Sequence, residues 1–202
     1  MARYTGPKHR LSRREGIDLF GTGSASLQRR LTVPPGQQGQ SARRKKATEY
    51  NLQLREKQRA KRMFGVLEKQ FRRYYQEATK QRGTTGAALL LLLERRLDNV
   101  VYRLGFARTR PMARQLVGHG HVLVNGKKVD IPSYPAKPGD TIQLGEKALE
   151  IPVVRETMED MAGLIPPWLA REGAIGRMLR LPTREEMEPQ IREELIIAFY
   201  SR

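Results

Sequence analysis

Residues 96–129 read RLDNVVYRLGFARTRPMARQLVGHGHVLVNGKKV, and this stretch decides the fold. Leu97, Val100, Val101 and Leu104 fall on one face at helical spacing, and Gly105 suits the left-handed conformation that ends a helix. Thr109 can cap a second helix, with Pro111 in its first turn where a missing N–H costs nothing. Ala113, Leu116 and Val117 give that helix a packing face. Gly118 and Gly120 break it. Val122, Leu123 and Val124 then read as a strand, Asn125-Gly126 as a two-residue turn, and Lys127-Lys128-Val129 as the returning strand. Pro138-Gly139-Asp140 turns the chain again before a further alternating strand, Thr141–Leu144. The expectation is a compact α+β module.

Its basic residues gather at the two junctions. Arg108, Thr109, Arg110 and Arg114 lie at the mouth and along the outer face of the second helix, whose unpaired N-terminal amides favour a phosphate. Lys127 and Lys128 carry the positive surface onto the hairpin. In a chain of ordinary charge these would be solvated side chains.

This chain is not of ordinary charge. In 202 residues, 38 Lys and Arg stand against 21 Asp and Glu, giving +17, and the pI is about 10.7. Such an excess is expected of a polyphosphate binder. It is uneven: residues 1–80 hold 20 basic and 6 acidic groups, 81–145 hold 10 and 4, and 146–202 hold 8 and 11. RNA contact is therefore expected in the first two-thirds, leaving the acidic remainder to packing or to a basic neighbour.

Working outward, Arg43-Arg44-Lys45-Lys46 precedes a long helical pattern in which Arg55, Arg59 and Arg62 stack on one face and Lys57 and Lys61 widen the stripe. Like charges at this spacing repel, so an anionic partner is expected there. After Gly65 a second helix carries an apolar stripe of Leu67, Phe71, Tyr74 and Ala78, with Lys69, Arg72 and Arg73 pointing elsewhere. Tyr74 reads as core and Tyr75 as the candidate for base stacking. Arg3, Lys8, Arg10, Arg13 and Arg14 make the first residues basic. Leu89, Leu90, Leu93 and Leu97 continue a helical period as core between the helical part and the module.

Thr183 with Glu186 matches a capping box before Pro189. The run LIIAFY, residues 195–200, fits helix or strand on its own pattern. Trp168, after Pro166-Pro167, reads as a packing anchor.

Four stretches carry a resemblance. Residues 96–129 resemble the RNA-binding domain named after the S-four family of small-subunit ribosomal proteins. Residues 51–78, NLQLREKQRAKRMFGVLEKQFRRYYQEA, resemble that family's helical domain, residues 34–40, PPGQQGQ, its N-terminal extension, and residues 195–202, LIIAFYSR, its C-terminus. The resemblance implies a basic extension over 1–42 and a helical domain over 43–95 completed by 180–202, with an RNA-binding domain and following connection over 96–179. It also implies direct binding to the 5′ domain of small-subunit rRNA, early action in assembly, and an influence on translational accuracy. An S-five-type protein would be a neighbour, and mRNA would pass near the channel by which it enters.

Many members of that family hold zinc with four N-terminal cysteines. This chain has no cysteine and carries His9, Ser12 and residues 21–27 in that region. It reads as a zinc-free version, without metal or other cofactor, whose first 42 or so residues, poor in large apolar side chains, are expected to order mainly on RNA.

No apolar run approaches the roughly 20 residues that span a bilayer, and the N-terminus lacks an apolar signal core. A cytoplasmic, ribosome-bound protein without a small-molecule substrate is expected. Related modules occur in pseudouridine synthases, but the one catalytic foothold, Arg96-Leu97-Asp98, lies within a helical pattern of the module, where Asp98 reads as an exposed or helix-pairing residue. No phosphate loop, HExxH or Ser/His/Asp constellation is present. The chain reads as no enzyme; a stand-alone RNA-binding regulator and a nonspecific basic chaperone are the alternatives.

Overall fold

The computed structural model describes residues 4–37, 39, 48–160 and 165–201. The chain divides into two compact units, 1–86 with 190–202, and 87–189.

In the first unit, α1 (Lys8–Glu15) ends at Gly16, whose φ of 72° is left-handed. A short α2 (Ala25–Gln28) follows. Helix α3 (Glu49–Met63) is capped by Thr48, which accepts from the Asn51 N–H at 3.3 Å. Gly65, at φ 62°, separates it from α4 (Glu68–Ala78). Phe71, Tyr74 and Ala78 are buried on α4 as the stripe predicts. Leu67 is 42% exposed, because it stands at the N-cap, before the helical face begins.

The ambiguity of LIIAFY resolves as helix. α10 (Glu193–Tyr200) lies along α3, burying Ile196, with Ile191 buried just before it. Its aromatic end is fixed: Tyr200 stacks on Tyr75 with centroids 4.6 Å apart, and Lys57 Nζ sits 4.4 Å from the Phe199 centroid. Such a cation over a ring adds attraction beyond packing.

The N-terminal residues carry their own local contacts. Residues 4–37 form a packed motif in which Leu19 and Leu27 are 2% and 1% exposed. Two apolar anchors suffice because hydrogen bonds close the loop between α1 and α2. Ser12 Oγ accepts from the Leu19 N–H, and the Asp18 carboxylate accepts from the Phe20 N–H, the Thr22 hydroxyl and the Gly23 N–H.

The second unit holds α5 from Ala87 onward (the helix spans Thr85–Glu94), then α6 (Leu97–Arg103) and α7 (Arg110–Gly118). Gly105 at φ 70° ends the α6 segment, and Thr109 caps α7 by accepting from the Met112 N–H, with Pro111 in the first turn. β1 (Val122–Val124) and β2 (Lys127–Lys128) pair antiparallel across Asn125 and Gly126, both at positive φ, as the hairpin twist requires. β3 (Thr141–Leu144) pairs with the other side of β1.

Short helices α8 (Glu146–Leu149) and α9 (Pro152–Asp160) follow. A second hairpin, β4 (Leu169–Glu172) and β5 (Ile175–Met178), then extends the sheet to the order β2-β1-β3-β5-β4. Trp168, 0% exposed, joins Leu97, Val101, Phe106, Val117 and Ile142 in one core. The capping box at Thr183 opens a 3-10 turn, with Glu186 accepting from the Thr183 N–H at 2.8 Å. Residues 180–189 belong to this unit rather than to the C-terminal helix, since Glu188 is held by Arg103 and Arg110.

Candidate nucleic-acid interface

On the module, Arg108 is exposed immediately before α7, and Lys127 and Lys128 are exposed on the edge strand β2. The side chain of Lys128 crosses Gly120, whose φ of 71° is left-handed and suits glycine.

The other predicted cations of the module are committed within the protein. Arg110 donates to Glu188 through Nη2 at 2.8 Å and to Asn99 Oδ1 through Nε at 2.8 Å, and packs over the Tyr102 ring at 4.6 Å. Arg114 lies 3.7 Å from Asp98. Thr109 spends its hydroxyl on the α7 cap. Arg110, Arg114 and Thr109, expected to face a phosphate, therefore also bond within the protein's own fold.

Asp98 is neither exposed nor catalytic in setting. It is 4% exposed and grips Arg96 in a two-bond fork, with Nε to Oδ1 at 3.0 Å and Nη2 to Oδ2 at 2.7 Å. Behind it, Glu94 takes two bonds from Arg103, at 2.7 and 3.1 Å, and one from Asn99 at 2.6 Å. Burial works against the charge of Arg103, but Glu94 and Glu188 outweigh it and push its pKa up.

The stripe on α3 finds its anions inside the protein. Arg55 and Arg62 both donate to Glu15 Oε1, Arg59 pairs with Glu56 at 2.9 Å, and Lys57 and Lys61 hold opposite oxygens of Glu68 at 2.9 and 2.8 Å. The repulsion implied by the spacing is real, and carboxylates from α1, α3 and α4 relieve much of it. On α4, Lys69, Arg72 and Arg73 remain exposed. Tyr75 is partly covered, with one ring face against Tyr200, so at most its other face is open to a base.

In the N-terminal motif Lys8, Arg10 and Arg14 are exposed, while Arg13 donates to the carbonyls of Val33 and Pro34. Arg3 and Arg43, Arg44, Lys45 and Lys46 lie outside the described residues. Arg29, Arg30, Lys80 and Arg82 are exposed as well.

The N-terminal donor set does not fit structural zinc, which takes thiolates and imidazoles. Ser12 and Asp18 are instead occupied by backbone N–H groups. Among the described residues no three His, Cys, Asp or Glu side chains converge as metal ligands, and no helix is long and apolar enough to cross a membrane.

A helical unit joined to a two-helix, antiparallel-sheet module with cationic edges defines a class of RNA-binding ribosomal proteins. Residues 3–94 match the ribosomal protein S4/S9 N-terminal domain and residues 95–142 the S4 domain. The chain is 54% identical to the small ribosomal subunit protein uS4 of Dictyoglomus turgidum, 52% to that of Akkermansia muciniphila and 48% to that of Thermus thermophilus. Each comparison covers all of both chains. The chain belongs to the ribosomal protein S4 family, whose members are structural proteins and not enzymes.

Proposed function

We propose that this chain is a structural component of the small ribosomal subunit that binds small-subunit rRNA at a helix junction of the 5′ domain, nucleates assembly and contributes to translational accuracy. The observation that carries the reading is the set of cations left over once the protein's own carboxylates are served: Lys8, Arg10, Arg14, Lys69, Arg72 and Arg73 in one unit, Arg108, Lys127 and Lys128 in the other. Phosphate contacts from both units supply affinity, and the shape of the folded RNA supplies selectivity.

The same reading extends to the rest of the chain. The basic extension, the helical domain with its C-terminal helix and the S4-type domain act as three RNA-facing parts. The protein works in the cytoplasm on the ribosome. A protein of the S-five type would be its neighbour there. Passing mRNA would meet the outer cations near the channel by which it enters.

The test is binding of the purified chain to 5′-domain rRNA transcript against excess tRNA over a range of salt. Neutralising roughly ten phosphates would give a log-log salt slope of about −7 to −9. Competitor-resistant binding supports the reading; binding abolished by tRNA overturns it in favour of a nonspecific basic protein.

A further inference from the structure

Glu15, at the end of α1, has a side chain with 0% exposure, and it accepts from both Arg55 and Arg62 on the same oxygen, Oε1. Arg59 lies on the same face of α3, one turn from each, and is tied to Glu56. The arginines are 27%, 24% and 21% exposed in order along α3, so part of each side chain reaches solvent and the Glu15 carboxylate does not. Arg14 adds a fourth positive charge acting on Glu15. Two carboxylates thus face four guanidinium groups.

The cluster is also incompletely bonded. Glu15 Oε2, Arg55 Nε and Arg59 Nε are all buried without a hydrogen-bond partner. Folded proteins leave few such atoms, and three in one cluster mark a place where a bonding group is missing. Arginine forks match the oxygens of a phosphate, and two N–H donors stand unspent. Burial lowers the pKa of Arg55, Glu15 opposes that, and Arg14 and Arg62 add to it, as crowding of like charge requires.

We infer that Arg14, Arg55, Arg59 and Arg62 form a seat for one phosphodiester of the bound RNA, with Glu15 as the positioning residue that holds Arg55 and Arg62 in place. The inference rests on the rRNA-binding reading. Phosphate oxygens meet the solvent-reaching parts of Arg55 and Arg59, and the buried carboxylate holds the guanidinium groups in place before RNA arrives.

The test uses the full chain and the 5′-domain rRNA transcript at several salt concentrations, with folding followed by thermal melts. The double variant Glu15→Gln/Arg55→Gln leaves the net charge unchanged, so any loss reflects the seat rather than the overall field. Binding about tenfold weaker, with the salt slope reduced by about one, is the expected result. A folded double variant with wild-type affinity and slope overturns the seat alone, while a wild-type chain that does not bind the transcript overturns the functional reading with it.

Glu15→Gln by itself raises the net charge by one yet is expected to weaken binding several-fold; tighter binding would overturn its positioning role. Should the double variant fail to fold, Arg55→Lys/Arg59→Lys keeps both charges and removes both Nε donors. Severalfold weaker binding is then expected, and unchanged binding overturns the seat.

Discussion

Arg110 and Glu188, 78 residues apart in sequence, are joined by a 2.8 Å ion pair in which the guanidinium Nη2 donates to Oε2. The same Glu188 oxygen also accepts from Arg103 at 3.3 Å, and Asn99 bridges Arg110 to Glu94. Side chains that look alike in sequence therefore have different work. Arg108→Ala, at an exposed position, is expected to leave the melting temperature unchanged and to reduce the salt slope of RNA binding by about one. Arg110→Ala breaks a pair whose members are each 12% exposed and should cost about 2 kcal/mol of stability. Urea melts of the two variants beside RNA titrations check the difference. Equal stability of both would contradict it.

Glu94 is 0% exposed and takes all its bonds from Arg103 and Asn99. Removing it in Glu94→Ala leaves Arg103 with Glu188 alone and strips an acceptor from buried Asn99. A loss of roughly 3 kcal/mol is expected from breaking a buried pair of this kind. Chemical denaturation at neutral pH measures it, and a loss below about 1 kcal/mol would show that Glu188 compensates.

The N-terminal motif can be tested without RNA. Leu27, 1% exposed, is one of its two apolar anchors, and Arg29-Arg30 follow it at the surface. Trypsin is expected to cut the free wild-type chain slowly at these arginines and the Leu27→Ala chain at least several-fold faster, because local opening governs cleavage. Rapid cutting of the wild type would support the expectation that this segment orders mainly on RNA.

Glu68 sets an acid limit on the first unit. Burial opposes its ionisation, but hydrogen bonds from Lys57, Lys61 and Tyr200 outweigh that and hold its pKa at about 2, below the ordinary 4.5. Its contribution is therefore complete above pH 4.5 and is lost as the pH falls toward 2. Glu68→Gln is expected to lower the melting temperature at pH 7 and to show a flatter decline than wild type between pH 4.5 and 2. Parallel pH profiles for the two chains would remove Glu68 from the acid response.

The local elements of the module and much of its core are legible in the residues alone. Gly105, the Thr109 cap with Pro111, and Asn125-Gly126 each encode a backbone conformation in one or two residues, and the predicted apolar faces of α6, α7 and β1 are largely buried. The overall charge and the family are legible in the sequence too, since both are properties of composition and motif.

Three features came from the folded chain: that LIIAFY is a helix along α3, that β4 and β5 complete the sheet, and which carboxylates hold the arginines. The physical reason is range. A cap or turn is settled by neighbours within four residues, whereas Arg55 meets Glu15 across 40 residues and Arg110 meets Glu188 across 78. How each cation is held depends on carboxylates that only folding brings to it.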